Sequence, residues 1–357
     1  MNERNILSEC HGNFIINIKA AFQDRDTVYL LLDLLTGGDL RFHLCYHRRF
    51  NEEQTKMFAA CIILGFKSIH GKNFIHRDIK PENIVFDEKG FLSITDFGIA
   101  RKFSPDNAKE TSGTPGYMAP EVMCRMNHSY EVDYYALGVI CYEAMLGRRP
   151  YNGKSRKEIR EQILSKQVLI KPEEVPKGWS EAGVDFINAL IQRKPSKRLG
   201  FNGIQELVNH PWFAGFDWQT LNDKKIKPSF VPNVKNVFDY LKSITEDDSD
   251  AEDMAEQEIN VRRKSVQELF NGYELAPRKE KVPTVSFTRG QSTKERFETR
   301  NESTRESWHT DRMKKTSSSN QPSSNLSSYK YKASPNTNNY ASPGRVVFKW
   351  RSHSKNI

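Results

Sequence analysis

The 357-residue chain is 37% apolar, 11% aromatic and 28% charged, too rich in apolar residues to be disordered throughout and long enough for one large domain or two ordinary ones. Its greasiest run, Val28 to Leu35, is short and carries Asp33, which excludes the roughly eighteen apolar residues of a spanning helix. The net charge of +9 would suit a nucleic-acid binder, but 17 Lys and Arg against 6 Asp and Glu lie in Ala276 to Ile357, so the excess belongs to a tail and the preceding body is slightly acidic.

In chain order, Phe14 to Ala21 and Thr27 to Leu32 read as two strands joined by the polar turn Gln23-Asp24-Arg25-Asp26. Glu52 to Ile69 sets Met57, Phe58, Cys61, Ile62, Leu64 and Phe66 at largely helical spacing. Tyr134 to Met145 is almost wholly apolar, which predicts a helix buried on all sides. Between these helices lies a stretch dense in Asp, Asn, Gly and Pro, the composition of loops that display chemistry. Beyond about Tyr240 the character changes. An acidic run spans Glu246 to Glu258, and 276–357 is so rich in Ser, Thr, Asn, Lys and Arg that it cannot offset its ordering entropy, which predicts disorder with local order only at Val346 to Arg351. Five cysteines, odd in number and without a C-x-x-C pair, argue against a disulfide framework or a structural zinc site. With no secretory leader pattern and no glycine at position 2, a soluble cytoplasmic protein is expected.

The central loop reads Ile75-His76-Arg77-Asp78-Ile79-Lys80-Pro81-Glu82-Asn83-Ile84-Val85, followed by Ile94-Thr95-Asp96-Phe97-Gly98 and Gly113-Thr114-Pro115-Gly116-Tyr117-Met118-Ala119-Pro120-Glu121. Two carboxylates and a carboxamide within nineteen positions, Asp78 to Asp96, suit a hard cation with oxygen ligands such as Mg²⁺. In order and spacing the three segments resemble the catalytic loop, the Asp-Phe-Gly segment and the Ala-Pro-Glu segment of protein kinases. The resemblance implies an α+β, protein-kinase-like fold with a mainly helical C-lobe and a truncated N-lobe sheet. Its parts would be an N-lobe remnant at 1–34, the C-lobe at 35–215, an AGC-type C-terminal tail with a hydrophobic motif at 216–275 and the disordered basic tail at 276–357.

The same resemblance implies an ATP- and Mg²⁺-dependent serine/threonine kinase. Asp78 would accept and orient the substrate hydroxyl, Lys80 would stabilise the transferring phosphoryl group, and Asn83 and Asp96 would hold Mg²⁺ against the ATP phosphates. Lys80 together with Thr114 is the serine/threonine pattern. The backbone of Asp33, Leu34 and Leu35 would face adenine and Asp39 would lie near the ribose, with Glu82, Val85 and Thr95 completing the nucleotide site. Glu121 and Arg198 match a buried ion pair, Asp133 a brace for the catalytic-loop backbone, and Leu7, Ile18, His76 and Phe97 an apolar stack. Leu31 to Leu35, Arg41-Phe42-His43-Leu44 and Gly147 to Tyr151 are similar to the YANK branch of the AGC kinases. Asp39, Glu82 and Glu143 would then meet Arg or Lys upstream of the target Ser or Thr. Glu110, four positions before Thr114, would face Arg77 in place of a phosphothreonine, with Thr111 as the competing phosphosite. Glu274, within Phe270 to Leu275, would replace a second phosphosite.

The pattern breaks at the start. Glu3 matches the helix carboxylate that pairs with a strand lysine, and neither that lysine nor a glycine-rich loop has a counterpart. Two expectations follow, of different class. The first, favoured because Asp78, Lys80, Asn83 and Asp96 are intact, is an N-terminally incomplete form of a working kinase; the second is a non-catalytic kinase-like binding module. A monomer is expected. The basic tail, with Trp308, Phe348 and Trp350 among its Lys and Arg, is expected to serve as a solvated regulatory linker or to bind an anionic membrane surface or RNA.

Overall fold

The computed structural model describes residues 2–23, 27–238, 275 and, for the backbone alone, 346–349. In chain order its elements are α1 (Asn2–Glu9), β1 (Ile18–Gln23), β2 (Val28–Leu32), α2 (Leu40–His47), α3 (Glu52–His70), β3 (Phe74–Ile75), β4 (Ile84–Phe86), β5 (Leu92–Ile94) and β6 (Arg101–Lys102). There follow α4 (Pro120–Met123), α5 (Glu131–Leu146), α6 (Arg156–Ser165), α7 (Glu181–Leu190), α8 (Gln205–Val208), α9 (Trp218–Asn222) and β7 (Val346–Lys349).

Two helices carry the core, and both follow from local sequence. Asn51 starts α3 with a reciprocal cap: its side chain accepts from Gln54 N at 2.9 Å and the Gln54 side chain accepts from Asn51 N at 3.1 Å. Glu52 and Glu53 in the first turn and Lys67 and His70 in the last complement the helix dipole. Gly65 lets α3 meet the small hairpin β4–β5 closely, since a Cβ there would come within 2.7 Å of Ile94 and 2.8 Å of the Phe14 carbonyl. Every residue of α5 from Glu131 to Met145 is buried. Gly147 ends that helix with φ of 71° and donates to Glu143 O. The helix starts three residues before the apolar run, and Glu131 and Asp133 in that first turn are buried with the rest.

The strands form three small antiparallel sheets, β1–β2–β7, β3–β6 and β4–β5. The first predicted strand starts later than its pattern suggests. Phe14 to Asn17 leave β1 to join the end of β5, with Ile94 N donating to Phe14 O at 3.0 Å and Ile16 N to Ile94 O at 2.9 Å. Residues 24–26 of the predicted turn lie outside the described residues.

The described part of 276–357, Val346–Lys349, is a strand and lies within Val346 to Arg351, where local order is expected. Val346–Lys349 pairs with the edge of β2, Leu30 opposite Phe348 and Leu32 opposite Val346. A strand edge presents unpaired N–H and C=O groups, and a β-branched and aromatic segment suits it. The rest of that tail, Trp308 included, lies outside the described residues, as do Glu274 and the acidic run. Before it, the chain returns along the body: Phe230 packs against the rings of His43, Phe50 and Phe86 at 5.1–5.4 Å. Leu275 N donates to Ala21 O at 2.8 Å and Ala21 N to Leu275 O at 3.2 Å. Among the described residues no helix is long and apolar enough to cross a membrane.

Candidate active site

The loop between β3 and β4 is held from beneath by α5. Asp133, buried in the middle of the protein, accepts from His76 N through Oδ2 and from Arg77 N through Oδ1, both at 2.9 Å, while His70 Nε2 lies 2.8 Å from Oδ2. Burial raises the Asp133 pKa, but the His70 bond and the charges and N–H around it outweigh burial and hold it below the usual carboxylate range. This clamp fixes Arg77 in the left-handed region at φ of 69° and so aims Asp78 outward.

Asp78 is the centre of a connected network. Its Oδ1 accepts from Thr114 N at 3.0 Å and from Thr114 Oγ1 at 2.7 Å; its Oδ2 takes Lys80 Nζ at 2.7 Å. Lys80 Nζ also donates to Thr114 Oγ1 at 3.1 Å, and Asn83 Nδ2 reaches Asp78 O at 2.9 Å. The register of β4 with β5, closed by Thr95 N donating to Asn83 O at 2.9 Å, brings Asp96 alongside Asn83. Asp96 adopts φ of 60°, and its Oδ1 accepts from Gly98 N at 3.1 Å. Phe97 is fully buried, edge-on to His76 at 5.1 Å between ring centres. Its N–H donates to Glu3 Oε1 at 3.3 Å. Burial, then the charge of Asp96, pushes the Glu3 carboxyl up to about 7.

The predicted catalytic residues are thus brought together, and Glu3 reaches them from α1. Asn83 and Asp96 offer oxygen donors only. That fits Mg²⁺, which keeps several waters and binds through one or two protein groups with substrate phosphates. Among the described residues no cluster of three or more His, Cys, Asp or Glu forms a metal cage.

Asp33, Asp39, Glu82 and Glu143 each bond within the chain. The Asp33 N–H donates to Asn17 O at 3.1 Å, while its carboxylate binds Asn17 Nδ2 at 2.8 Å and Lys19 at 3.2 Å. Asp33 could offer a base only its carbonyl. Leu34 is exposed, Leu35 packs on the core, and Val85 is buried in β4, bridged to Asp39. Asp39 caps α2 through Oδ1, which accepts from Phe42 N at 2.8 Å, the position an acid before a helix favours. Burial raises the Asp39 pKa more than that N–H lowers it. Glu82 and Glu143 are not free acids, since both bind Arg41. Arg41 and Tyr117 were not singled out from the sequence, because nothing local marks a side chain that bonds to partners 41 and 102 positions away.

Along the segment after Asp96, Arg77 forms a short ion pair with Glu110 and donates from Nε and Nη2 to Ile99 O at 2.9 and 2.6 Å. Thr111 is held differently, through its carbonyl, which accepts from Arg156 Nη2 at 3.0 Å. Farther down, Arg198 and Glu121 form the expected pair, Nη1 to Oε1 at 2.6 Å and Nη2 to Oε2 at 2.9 Å, both side chains almost fully buried.

A mainly helical α+β body, an acid–lysine–amide network on one loop and a second acid beyond a short hairpin define the class of the protein kinases. Residues 1–213 match the family described as "Protein kinase domain", and the chain belongs to that family. Similar proteins include a probable serine/threonine-protein kinase of Dictyostelium discoideum, 36% identical over 66% of this chain and 51% of that protein. Ribosomal protein S6 kinase alpha-2 of Homo sapiens is 39% identical over 65% of this chain and 32% of its own length. Serine/threonine-protein kinase sgk-1 of Caenorhabditis elegans is 34% identical over 73% of this chain and 57% of its own. The chain therefore spans between about a third and just over half of the length of these relatives.

Proposed function

We propose that this chain is the catalytic part of a serine/threonine protein kinase of the AGC type, YANK-like in branch, which transfers the γ-phosphoryl group of ATP to a protein hydroxyl with Mg²⁺. The observation that carries this reading is the Asp78 carboxylate, oriented by Thr114 and paired to Lys80, with Asn83 bound to its backbone carbonyl. The names of the similar kinases support it as well.

In this reading Asp78 accepts the proton of the acceptor hydroxyl, and Thr114 keeps its carboxylate in one rotamer. Lys80 holds positive charge beside the carboxylate, where the transferring phosphoryl group gathers negative charge. Asn83 and Asp96 would hold Mg²⁺, which when bound neutralises phosphate charge and aligns the terminal phosphoryl group. The acceptor is a protein with Lys or Arg upstream of its Ser or Thr, drawn by the acids around Glu82 and Glu143.

The test is transfer from γ-labelled ATP to a serine peptide, with nucleotide binding measured separately. Transfer is expected with Mg²⁺ and is expected to disappear on chelation and in Asp96→Ala. Nucleotide binding with no transfer under any metal would favour the non-catalytic binding module.

Glu110 supplies about −1 where a phosphate would supply about −1.5 to −2, so it should order the segment from Arg77 in part and without an activating kinase. Because Glu110 is 42% exposed, the pair is screened, and Glu110→Ala is expected to lower transfer only about two- to fivefold. Thr111→Ala should change little. Loss of activity in Thr111→Ala with none in Glu110→Ala would reverse the assignment.

A further inference from the structure

The acidic patch beside the reaction centre is already occupied by a cation of the same chain. Arg41, in the first turn of α2, donates from Nε to Glu82 Oε1 at 3.0 Å, from Nη1 to Glu143 Oε1 at 2.9 Å and from Nη2 to Glu143 Oε2 at 3.2 Å. Nη2 also makes a short bond to the Tyr117 hydroxyl, which itself donates to Glu143 Oε2 at 2.5 Å. The Arg41 and Glu143 side chains are only 22% and 11% exposed, so this fork is well desolvated and not readily opened by a competing cation. Glu82 directly precedes Asn83 and stands two residues after Lys80, which puts the patch on the loop that bears Asp78.

The acceptor inventory is what matters for a partner. A guanidinium binds best across both oxygens of one carboxylate, whereas an ammonium needs a single acceptor. Both oxygens of Glu143 are taken, and so is Oε1 of Glu82. Glu82 Oε2 is buried and has no hydrogen-bond partner among the described residues. Two carboxylates against one guanidinium still leave negative charge, so a cation is attracted, but no forked seat is left for it.

The geometry points to Arg41 as a specificity-determining residue: it fills the forked carboxylate seat from within the chain, so the patch takes a lysine ammonium from an acceptor peptide as readily as an arginine. This inference rests on the kinase reading for the hydroxyl the peptide presents, but not for the binding of the peptide itself.

The test uses the full chain and three serine peptides that differ only in carrying arginine, lysine or neutral citrulline upstream of the serine, with affinity read by fluorescence anisotropy. Wild type is expected to bind the arginine and lysine peptides within about threefold of each other, and both more tightly than citrulline, because one charge-assisted bond is available to each. Arg41→Ala empties the fork and should tighten the arginine peptide by about 10- to 100-fold, the lysine peptide much less. Adding Glu143→Gln to Arg41→Ala should abolish that gain. A purely structural tether would lower thermal stability in Arg41→Ala without moving the arginine-to-lysine ratio, and that result overturns the inference. So does a wild type that prefers arginine over lysine by more than about tenfold, or one that binds all three peptides alike. Should Arg41→Ala fail to fold, Arg41→Lys keeps the charge and gives up the fork, and the wild-type comparison decides in any case. Absence of phosphoryl transfer with these affinities as expected would defeat the kinase reading alone; transfer with the wrong affinities would defeat this inference alone.

Discussion

Asp78→Asn is expected to reduce phosphoryl transfer by about 10²- to 10⁴-fold, the range that a positioned general base contributes. The substitution keeps the shape of the side chain and an oxygen to accept from Thr114 N and Oγ1, so the loop has little reason to move. What disappears is the ability to take a proton and the counter-ion of Lys80, whose Nζ retains the Thr114 hydroxyl at 3.1 Å. Stability should therefore fall by no more than about 1–2 kcal/mol, the cost of one charge-assisted bond. Single-turnover transfer and thermal unfolding of the same preparation separate the two effects. A variant that retains transfer within tenfold of wild type would remove Asp78 from the mechanism.

Arg198→Met should be the most damaging single change to the fold. It leaves the Glu121 carboxylate, 2% exposed, without its cation, and stripping one partner from a buried pair costs about 3–5 kcal/mol. Arg198 also serves the carbonyls of Glu131 at 2.9 Å and Gln192 at 3.0 Å, so its loss orphans acceptors on two further segments. The double variant Arg198→Met with Glu121→Leu removes the uncompensated charge and should recover part of the loss, though those carbonyls stay without a partner. Urea unfolding of the three proteins gives the comparison. A single-variant loss below about 1 kcal/mol would mean that water reaches Glu121.

What the sequence made legible was whatever is encoded locally. The apolar spacing of α3, the unbroken apolar run of α5 and the order of Asp78, Lys80, Asn83 and Asp96 all lie within single segments, and the structure assembles those residues as expected. Asp133 and Arg198 were legible only through resemblance, since their partners lie 57 and 77 positions away. Arg41 was not legible at all: whether an arginine on a helix faces solvent or two distant glutamates depends on how α2 docks against the loop and α5. The capping role of Asp39 was, by contrast, a local signal. An acid immediately before a helix caps it by default, and Asp39 does so through Oδ1. The strand at 346–349 shows a third limit, since its β-branched residues are a local signal but the edge they choose is not.

Arg77 and Asp96, on either side of the reaction centre, are two of the six non-glycine residues with left-handed backbone among those described. Each such conformation is disfavoured by about 1–3 kcal/mol, less for Asp than for Arg, and is held in part by Asp133 at Arg77 and by the Gly98 amide at Asp96. Glycine would relieve that strain at either position while deleting a side chain the site uses. Robustness and chemistry are thus antagonistic at Asp96, whereas at Arg77 the bonds to Ile99 O and Glu110 offset the strain. A library of this protein selected for heat resistance alone will drift toward glycine at 96, and only selection for catalysis as well will keep the aspartate.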